Sequence, residues 1–154
     1  MNTLDVRIVT LDPMRVASML GFGPSPEAAA WQKLVQWAEP RGLLAGSDRP
    51  LIFGFNNPSP TPASPNYGYE FWIEAGPEVQ ADAEVQIKQF GGGLYAVTRC
   101  QGVETITDTW KQLVAWLAAS PYRQAHHQWL EEHITTADGA PDELILDLYA
   151  PIAR

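Results

Sequence analysis

Acidic and aromatic residues alternate in the segment YGYEFWIE, which spans residues 67–74. Alternate side chains of a β-strand point to opposite faces, so a strand here places Glu70 and Trp72 on one face and Tyr69 on the other. A carboxylate that leaves water needs a cation or hydrogen bonds, and an aromatic face attracts cations. A carboxylate beside an indole is therefore either a solvent-facing pair or part of a pocket, and solvent exposure is the commoner case.

All three histidines of the chain lie in the segment HHQWLEEH, residues 126–133. We predict a short helix from about Tyr122 to His133, on which His127 and Glu131 are four residues apart and share a face. A metal site usually needs three protein ligands at suitable spacing, with supporting groups behind them. The favoured interpretation is a solvated helix face that carries a few histidines, so we predict no metal.

A nucleophile and a phosphate-binding loop are the other chemical possibilities. The chain has no G-x-S-x-G segment, and its single cysteine, Cys100, ends an apolar strand beside Arg99. A basic neighbour can lower the pKa of a thiol, but a small strand residue in a buried position is the simpler interpretation. The segment FGGGLY lacks the helix and the lysine of a P-loop. We therefore predict no catalytic residue and no cofactor.

Composition excludes several classes of function. The formal net charge is −8, whereas direct binding to nucleic acid requires a basic surface. One cysteine excludes an internal disulfide and suits a reducing cytosol. The N-terminal segment lacks the apolar region of a signal peptide, and no apolar run approaches the roughly 18 residues of a membrane span. We expect a cytoplasmic protein with no direct contact to nucleic acid or membrane.

Two amphipathic segments repeat within the 154 residues. WQKLVQWA starts at Trp31 and WKQLVAWL at Trp110, an offset of 110 − 31 = 79 residues. The same offset aligns the apolar segment MRVASMLGFG with GLYAVTRCQG, and places Gly23 on Gly102. In each string the apolar residues at i, i+3, i+4 and i+7 form one helical stripe. Each copy therefore predicts a strand that ends in glycine and is followed by a helix.

The remaining strands complete two similar halves. PLIFGFNNP, YGYEFWIEAG and AEVQIKQF predict strands in the first part of the chain, and ELILDLYAPI predicts a closing strand after the turn TTADGAPD. The proline-rich segment NNPSPTPASPN could link two domains, but a long hairpin loop is favoured, because the flanking strands are too short to stand alone. We predict one domain over residues 1–154, with halves at about 5–80 and 81–154. The fold is α+β: duplicated strand-helix-strand-strand halves forming an antiparallel sheet, with two long helices on one side and a pseudo-twofold axis.

Several of these segments resemble one known family. YGYEFWI, WKQLVAWL followed by SPY, WLEEH and the closing LILDLYAPI are similar to the GyrI-like effector-binding domain family. The same fold forms the ligand-binding half of AraC-type and multidrug-responsive MerR-type transcription activators. The resemblance covers about residues 5–153, and the middle strand is similar to stand-alone members that include a drug-binding protein carried on an integron cassette.

The resemblance implies a pocket lined by aromatic side chains around one buried glutamate. Glu131 matches that glutamate by position, while His133 stands where many members have tyrosine, which puts any role for a phenol there in doubt. Glu70 is the next acidic candidate. The aromatic residues that match are Tyr69, Trp72, Tyr95, Trp110 and Tyr149.

The implied function is the binding of a small-molecule effector by a stand-alone protein. A pocket that pairs a buried carboxylate with aromatic faces selects amphipathic, cationic aromatic ligands. Such a protein sequesters drugs or regulates transcription with a protein partner that supplies DNA binding. An alternative is a hydrolase of cyclopropane-bearing natural products that uses Glu131, and His133 could itself act as a general base there. A third is a protein inhibitor whose acidic surface meets a basic partner.

Overall fold

The computed structural model describes residues 4–44, 50–82, 85–135 and 141–154. The chain divides into two compact units. The central unit comprises Met14–Phe90, and the terminal unit comprises Met1–Pro13 together with Gly91–Arg154. Each unit is described below by itself.

Two α-helices and nine strands make up the described regular structure, apart from short 3₁₀ turns. The helices are α1 (Pro26–Ala38) and α2 (Ile106–Ala119). The strands are β1 (Arg7–Leu11), β2 (Met14–Gly23), β3 (Ile52–Asn56), β4 (Tyr67–Glu74), β5 (Gln86–Phe90), β6 (Gly93–Gln101), β7 (Arg123–Gln124), β8 (Leu130–His133) and β9 (Ile145–Ala153). Neither α1 nor α2 has the length and apolar character that crossing a membrane requires.

The central unit is an antiparallel sheet of order β3-β4-β2-β5 with α1 packed on it. Pro26 occupies the first helical position and Glu27 lies in the first turn, where the helix dipole favours an acid. The helix ends before Pro40, as the sequence predicts, and continues as a single 3₁₀ turn. Its apolar stripe contacts the sheet, and the ring of Trp31 meets that of Phe71 at 5.4 Å between centroids.

The terminal unit is an antiparallel sheet of order β1-β6-β9-β8, with the short β7 also paired to β9. Helix α2 ends at Ala119, just before Ser120 and Pro121. Its buried leucines, Leu113 and Leu117, pack with one face of β6 and β9. The other members of that core are Ala96, Cys100, Leu146, Leu148, Ala150 and Ile152.

The two units repeat one topology. The correspondence pairs β2 with β6, β3 with β8, β4 with β9 and helix α1 with α2. With β5 matched to β1, the strand orders β3-β4-β2-β5 and β8-β9-β6-β1 coincide. The registers coincide as well, since the cross-strand pair Leu20–Glu70 corresponds to Arg99–Asp147. These matches confirm the strand-helix repeat and the antiparallel α+β fold. The pseudo-twofold axis and the placement of the helices on one side stay predictions.

Two predictions about individual segments have different outcomes. The proline-rich segment is a hairpin loop, because β3 and β4 pair antiparallel on either side of it within the central unit. The predicted helix from Tyr122 to His133 is wrong, because β7 and β8 occupy that segment. Pairing with β9 provides the backbone hydrogen bonds, and tertiary pairing of this kind overrides local helical propensity. The turn predicted at TTADGAPD falls largely outside the described residues.

Close packing of α1 on β2 depends on Gly21. A Cβ atom at this position would lie 2.3 Å from the carbonyl oxygen of Pro26 and 2.7 Å from the backbone nitrogen of Ala30. Backbone atoms of a helix cannot move aside as a side chain can, so helix and strand would have to separate. In the terminal unit the repeat places Cys100 at the equivalent position, and its side chain joins the core beneath α2.

Gly21→Ala should destabilise the protein by about 1–3 kcal/mol, the usual cost of overpacking a core. We expect a fall of about 2–4 °C in the melting temperature for each kcal/mol. Gly91→Ala is the matched control, because a Cβ atom there would meet no heavy atom within 4 Å. Equal melting temperatures for Gly21→Ala and the unmodified protein would contradict the close approach of α1.

Candidate functional site

Alternation along β4 separates the candidate residues of the central unit into two faces. Tyr69 and Phe71 face α1, and their rings meet at 5.0 Å between centroids. Tyr69 is buried, and its ring covers Gly54 so closely that a Cβ atom there would lie 2.2 Å from the phenol oxygen. Glu70 and Trp72 lie on the opposite face of the strand. Tyr69 is therefore a residue of the helix-packed core and lies apart from the carboxylate beside it in sequence.

Glu70 is the centre of a buried hydrogen-bond cluster on that opposite face. Its side chain is 3% exposed, and its two oxygens accept hydrogen bonds from four donors. Oε2 accepts from the Ser18 hydroxyl at 2.6 Å, the Trp72 indole at 2.7 Å and the Lys88 ammonium at 2.7 Å. Oε1 accepts from the Asn57 amide at 2.9 Å. We call these five residues the Glu70 cluster.

The Glu70 cluster keeps its carboxylate ionised. Burial alone would raise the pKa of Glu70, but the hydrogen bonds from the four donors outweigh burial, so the pKa lies below the usual carboxyl value. Two aromatic rings flank the cluster through Trp72, whose ring lies 4.8 Å from that of Phe55 and 5.4 Å from that of Phe90. The carboxylate–indole pair is thus buried, and the solvent-facing alternative from the sequence is wrong.

Asp147 of the terminal unit occupies the position that corresponds to Glu70. It is also buried, and it forms ion pairs with Arg7 at 3.0 Å and with Arg99 at 2.8 Å. Burial would raise the pKa of Asp147, but the hydrogen bonds and charges of the two arginines lower it overall. Both units therefore bury one acidic residue at an equivalent place and neutralise it with cations of the same chain.

A third carboxylate, Glu132, is only half-buried and has different surroundings. It lies opposite Asp147 in the pairing of β8 with β9, and the Tyr149 hydroxyl donates to its Oε1 at 2.7 Å. Within the described residues, no lysine or arginine lies within ion-pair distance of Glu132. Burial raises its pKa, and the negative charge of Asp147 adds to the rise, against the lowering effects of Tyr149 and the two arginines.

Tyr149 connects Glu132 to a second buried phenol. The ring of Tyr149 meets that of Tyr95 at 5.3 Å, and Tyr95 meets His127 at 4.8 Å, each edge to face. The hydroxyl of Tyr95 donates to the carbonyl oxygen of Gln128. Burial raises the pKa of both tyrosines well above the ordinary value, and for Tyr149 the charge of Glu132 adds to the effect. Both phenols are neutral donors, and together with Glu132 they form the Glu132–Tyr149 site.

Glu131 lies on the other side of β8 from Glu132. It is opposite Leu148, which belongs to the core beneath α2, and it accepts a hydrogen bond from the Trp110 indole at 3.0 Å. The Trp110 ring meets that of Trp129 at 5.7 Å. His133 shares this face of β8 and is buried. The structure thus brings Glu131 together with Trp110, and Tyr95 together with Tyr149, but places the two groups on opposite faces.

Sequence reasoning missed Glu132 because it read LEEH as part of a helix. In a helix, the side chains of Glu131 and Glu132 would differ in direction by about 100°, whereas in a strand they point to opposite faces. No sequence signal identified Glu132, because the pairing of this four-residue segment with the closing strand is a tertiary effect. The idea that His127 and Glu131 share a helical face fails for the same reason.

Metal binding and nucleophilic catalysis have little support among the described residues. They contain no group of three His, Cys, Asp or Glu side chains placed to hold a metal ion. Cys100 is buried, and burial raises the pKa of its thiol to about 11, so it is a poor nucleophile at neutral pH. A groove of about 710 Å³ lies beside α1, where Arg41 stacks 4.5 Å from the Trp37 ring, and its lining includes none of the candidate residues.

Comparison with known proteins identifies one family. A family model described as a GyrI-like small molecule binding domain matches residues 4–153. No curated protein sequence gives a match.

Three solved structures illustrate the structural similarity. A hydrolase from Listeria innocua has a TM-score of 0.68 at 13% identity, covering 96% of this chain and 91% of its own. SAV2435 bound to tetraphenylphosphonium has a TM-score of 0.62 at 13% identity, covering 97% of this chain and 94% of its own. EcmrR in complex with DNA has a TM-score of 0.71 at 11% identity, covering 97% of this chain and 57% of its own. At these identities the similarity concerns the fold.

The Glu70 cluster should stabilise the fold in a pH-dependent way. Glu70→Gln should lower the free energy of unfolding at neutral pH by about 1–3 kcal/mol, because its donors lose a charged acceptor. Folding lowers the pKa of Glu70 below the ordinary value of a glutamate, so its stabilisation is fully present above that ordinary value and is lost as the pH falls through the lower folded-state pKa. Urea titrations of both proteins at a series of pH values measure the difference.

Glu74→Gln is the control, because Glu74 is the exposed last residue of the same strand. We expect it to change stability little at any pH. If Glu70→Gln were as harmless as Glu74→Gln, or if its cost persisted unchanged in acid, the cluster would not depend on an ionised carboxylate.

Proposed function

The chain belongs to the GyrI-like family of small-molecule binding domains, and we propose that it binds amphipathic, cationic aromatic molecules through the Glu132–Tyr149 site. The observation that carries this proposal is the contrast between the half-buried Glu132 and the two buried carboxylates, Glu70 and Asp147. Glu70 has Lys88, and Asp147 has Arg7 and Arg99, but Glu132 has a neutral phenol. A ligand cation would supply the missing counter-charge.

Desolvation gives this site its affinity for cations. A half-buried carboxylate such as Glu132 attracts a positive charge more strongly than a fully exposed one, because the surrounding medium screens the charge less. The Tyr149 hydroxyl bonds to Glu132, and the Tyr95 ring packs against that of Tyr149. Aromatic side chains next to the carboxylate favour a cation that also carries apolar surface. Neutral and anionic molecules gain nothing from the carboxylate, so charge is the basis of selection.

The raised pKa of Glu132 makes binding dependent on pH. Cation binding favours the ionised carboxylate, so the cation and the proton compete for the same group. Affinity for a cationic ligand should therefore fall as the pH drops through the pKa of Glu132, at a pH above that expected of an ordinary glutamate.

The relatives support a role as a receptor. SAV2435 binds a lipophilic cation, tetraphenylphosphonium. EcmrR is a longer protein that binds DNA, and this chain aligns with 57% of it. A net charge of −8 does not favour direct contact of this chain with DNA phosphates. We propose that it sequesters its ligand, or regulates transcription with a partner protein that binds DNA.

Glu131 and Glu132, which lie on opposite faces of β8, provide a matched pair for testing the proposed cation site. We expect Glu132→Gln to weaken binding of a lipophilic cationic dye about 10- to 150-fold, equivalent to about 1.5–3 kcal/mol for a hydrogen bond to a charged group. Affinity for a neutral molecule of the same shape should change much less. Glu131→Gln, which keeps an acceptor for Trp110, should leave both affinities close to those of the unmodified protein. Fluorescence titrations of the three proteins measure these constants.

Two other roles for these carboxylates predict different binding constants. If Glu131→Gln lost affinity for the cation and Glu132→Gln did not, Glu131 would be the anchor that the family resemblance implies. Equal losses for the cationic and the neutral ligand would show that the carboxylate supports the fold and does not select charge.

A second candidate function rests on the pairing of Glu132 with Tyr149. A carboxylate of raised pKa can act as a general base toward water, and a hydrolase from Listeria innocua shares the fold. On this hypothesis Glu132 takes a proton from water while the water oxygen bonds to a cyclopropane carbon. The ring C–C bond breaks, its electron pair passes into the conjugated carbonyl system attached to the ring, and that system then takes up the proton. Chromatography of a cyclopropane-bearing alkylating agent incubated with the protein should reveal the hydrated product. Glu132→Gln should reduce its formation at least about 100-fold, and absence of product with the unmodified protein would exclude this function.

A further inference from the structure

The Glu70 cluster has the composition of a binding site for an ammonium group. A buried carboxylate accepts hydrogen bonds from three neutral donors, Ser18, Asn57 and Trp72, and from one ammonium, that of Lys88. The neutral donors come from β2, β4 and the loop that follows β3, all inside the central unit. Three of the four hydrogen bonds to the carboxylate therefore come from groups other than the ammonium.

Lys88 differs from the other members of the cluster. Its side chain is 39% exposed, whereas that of Glu70 is 3% exposed. The lysine therefore reaches from the surface with its flexible stem and places only its charged end on Oε2, at 2.7 Å. Holding a long side chain in one conformation costs entropy, and a separate molecule could supply the same ammonium.

The corresponding place in the terminal unit is constructed differently. Two arginines, Arg7 and Arg99, neutralise Asp147. In the central unit, Leu20 occupies the position equivalent to Arg99, and Gln86 occupies the position equivalent to Arg7. Lys88 corresponds to Val9, so its charge has no counterpart there. The repeat therefore conserves a buried carboxylate in each unit but not the cation that neutralises it.

We propose that the central unit contains a second cation site, specific for a primary ammonium group, which the chain itself fills with Lys88. The ligand chemistry is an alkylammonium: three N–H donors on a compact charge, with an apolar chain beside Trp72 and its ring neighbours Phe55 and Phe90. Lys88 keeps this site closed to added cations, and shortening Lys88 opens it. The site is separate from Glu132, so the proposal does not depend on the function proposed above.

Lys88→Ala with added n-propylammonium chloride tests the proposal, because propylammonium replaces the three methylene groups and the ammonium that the substitution removes. We expect a saturable rise in the melting temperature of Lys88→Ala, about 3–6 °C at ten times the dissociation constant. The unmodified protein should show no such rise, because Lys88 occupies the site. Lys111→Ala is the matched control, since Lys111 is an exposed residue of α2 in the terminal unit.

Three comparisons identify the cause of the rise. Potassium chloride at the same ionic strength controls for salt, 1-propanol is the neutral analogue, and the double variant Lys88→Ala, Glu70→Gln removes the carboxylate. The proposal is supported if the melting temperature rises with propylammonium but not with 1-propanol, in Lys88→Ala but not in the unmodified protein, and not in the double variant. Should Lys88→Ala fail to fold alone, recovery of folded protein by propylammonium and not by 1-propanol supports it equally. An equal response to 1-propanol, an equal response in the double variant, or no response to propylammonium overturns the proposal.

Discussion

A carboxylate that leaves water must receive a cation or several hydrogen bonds, and this requirement organises both units of the protein. Glu70 and Asp147 occupy equivalent positions, and each draws its donors from strands that are far apart in sequence. Arg7 and Asp147 are separated by 140 residues, and Ser18 and Glu70 by 52. Only the completed sheets bring these groups together, so each ion cluster depends on the correct register of its sheet.

The alternation of side chains across the strands keeps the ionic and apolar groups apart. One face of each sheet carries its helix and its apolar core, as Phe71 beneath α1 and Leu148 beneath α2 illustrate. The other face carries Glu70 in the central unit and Asp147, Glu132 and Tyr149 in the terminal unit. A shift of register by one residue would exchange the two sets, which would bury charges beneath the helices. The same alternation separates Glu131 from its neighbour Glu132.

The sequence was sufficient to predict much of the fold. The repeated strings at Trp31 and Trp110 revealed the duplication, and the flanking prolines marked where both helices end. The pattern of YGYEFWIE correctly placed Glu70 and Trp72 on one face. The segment from Tyr122 to His133 was predicted as a helix because its strands are too short to show a period of their own, and their pairing with β9 is a tertiary effect. The ion clusters also lay beyond prediction, because Lys88 meets Glu70 only through the pairing of β2 with both β4 and β5.

The strand that completes each sheet comes from a different part of the chain in the two units. The central unit is one uninterrupted segment, Met14–Phe90, whereas the terminal unit combines β1 with segments that follow Gly91. During synthesis on the ribosome, every strand of the central unit has been made before β6 begins. Strand β1, made before the central unit, must wait for β6, and Arg7 has no Asp147 to neutralise until β9 has been made. We therefore expect vectorial synthesis to let the central unit fold before the terminal unit, an order that their shared topology alone does not specify.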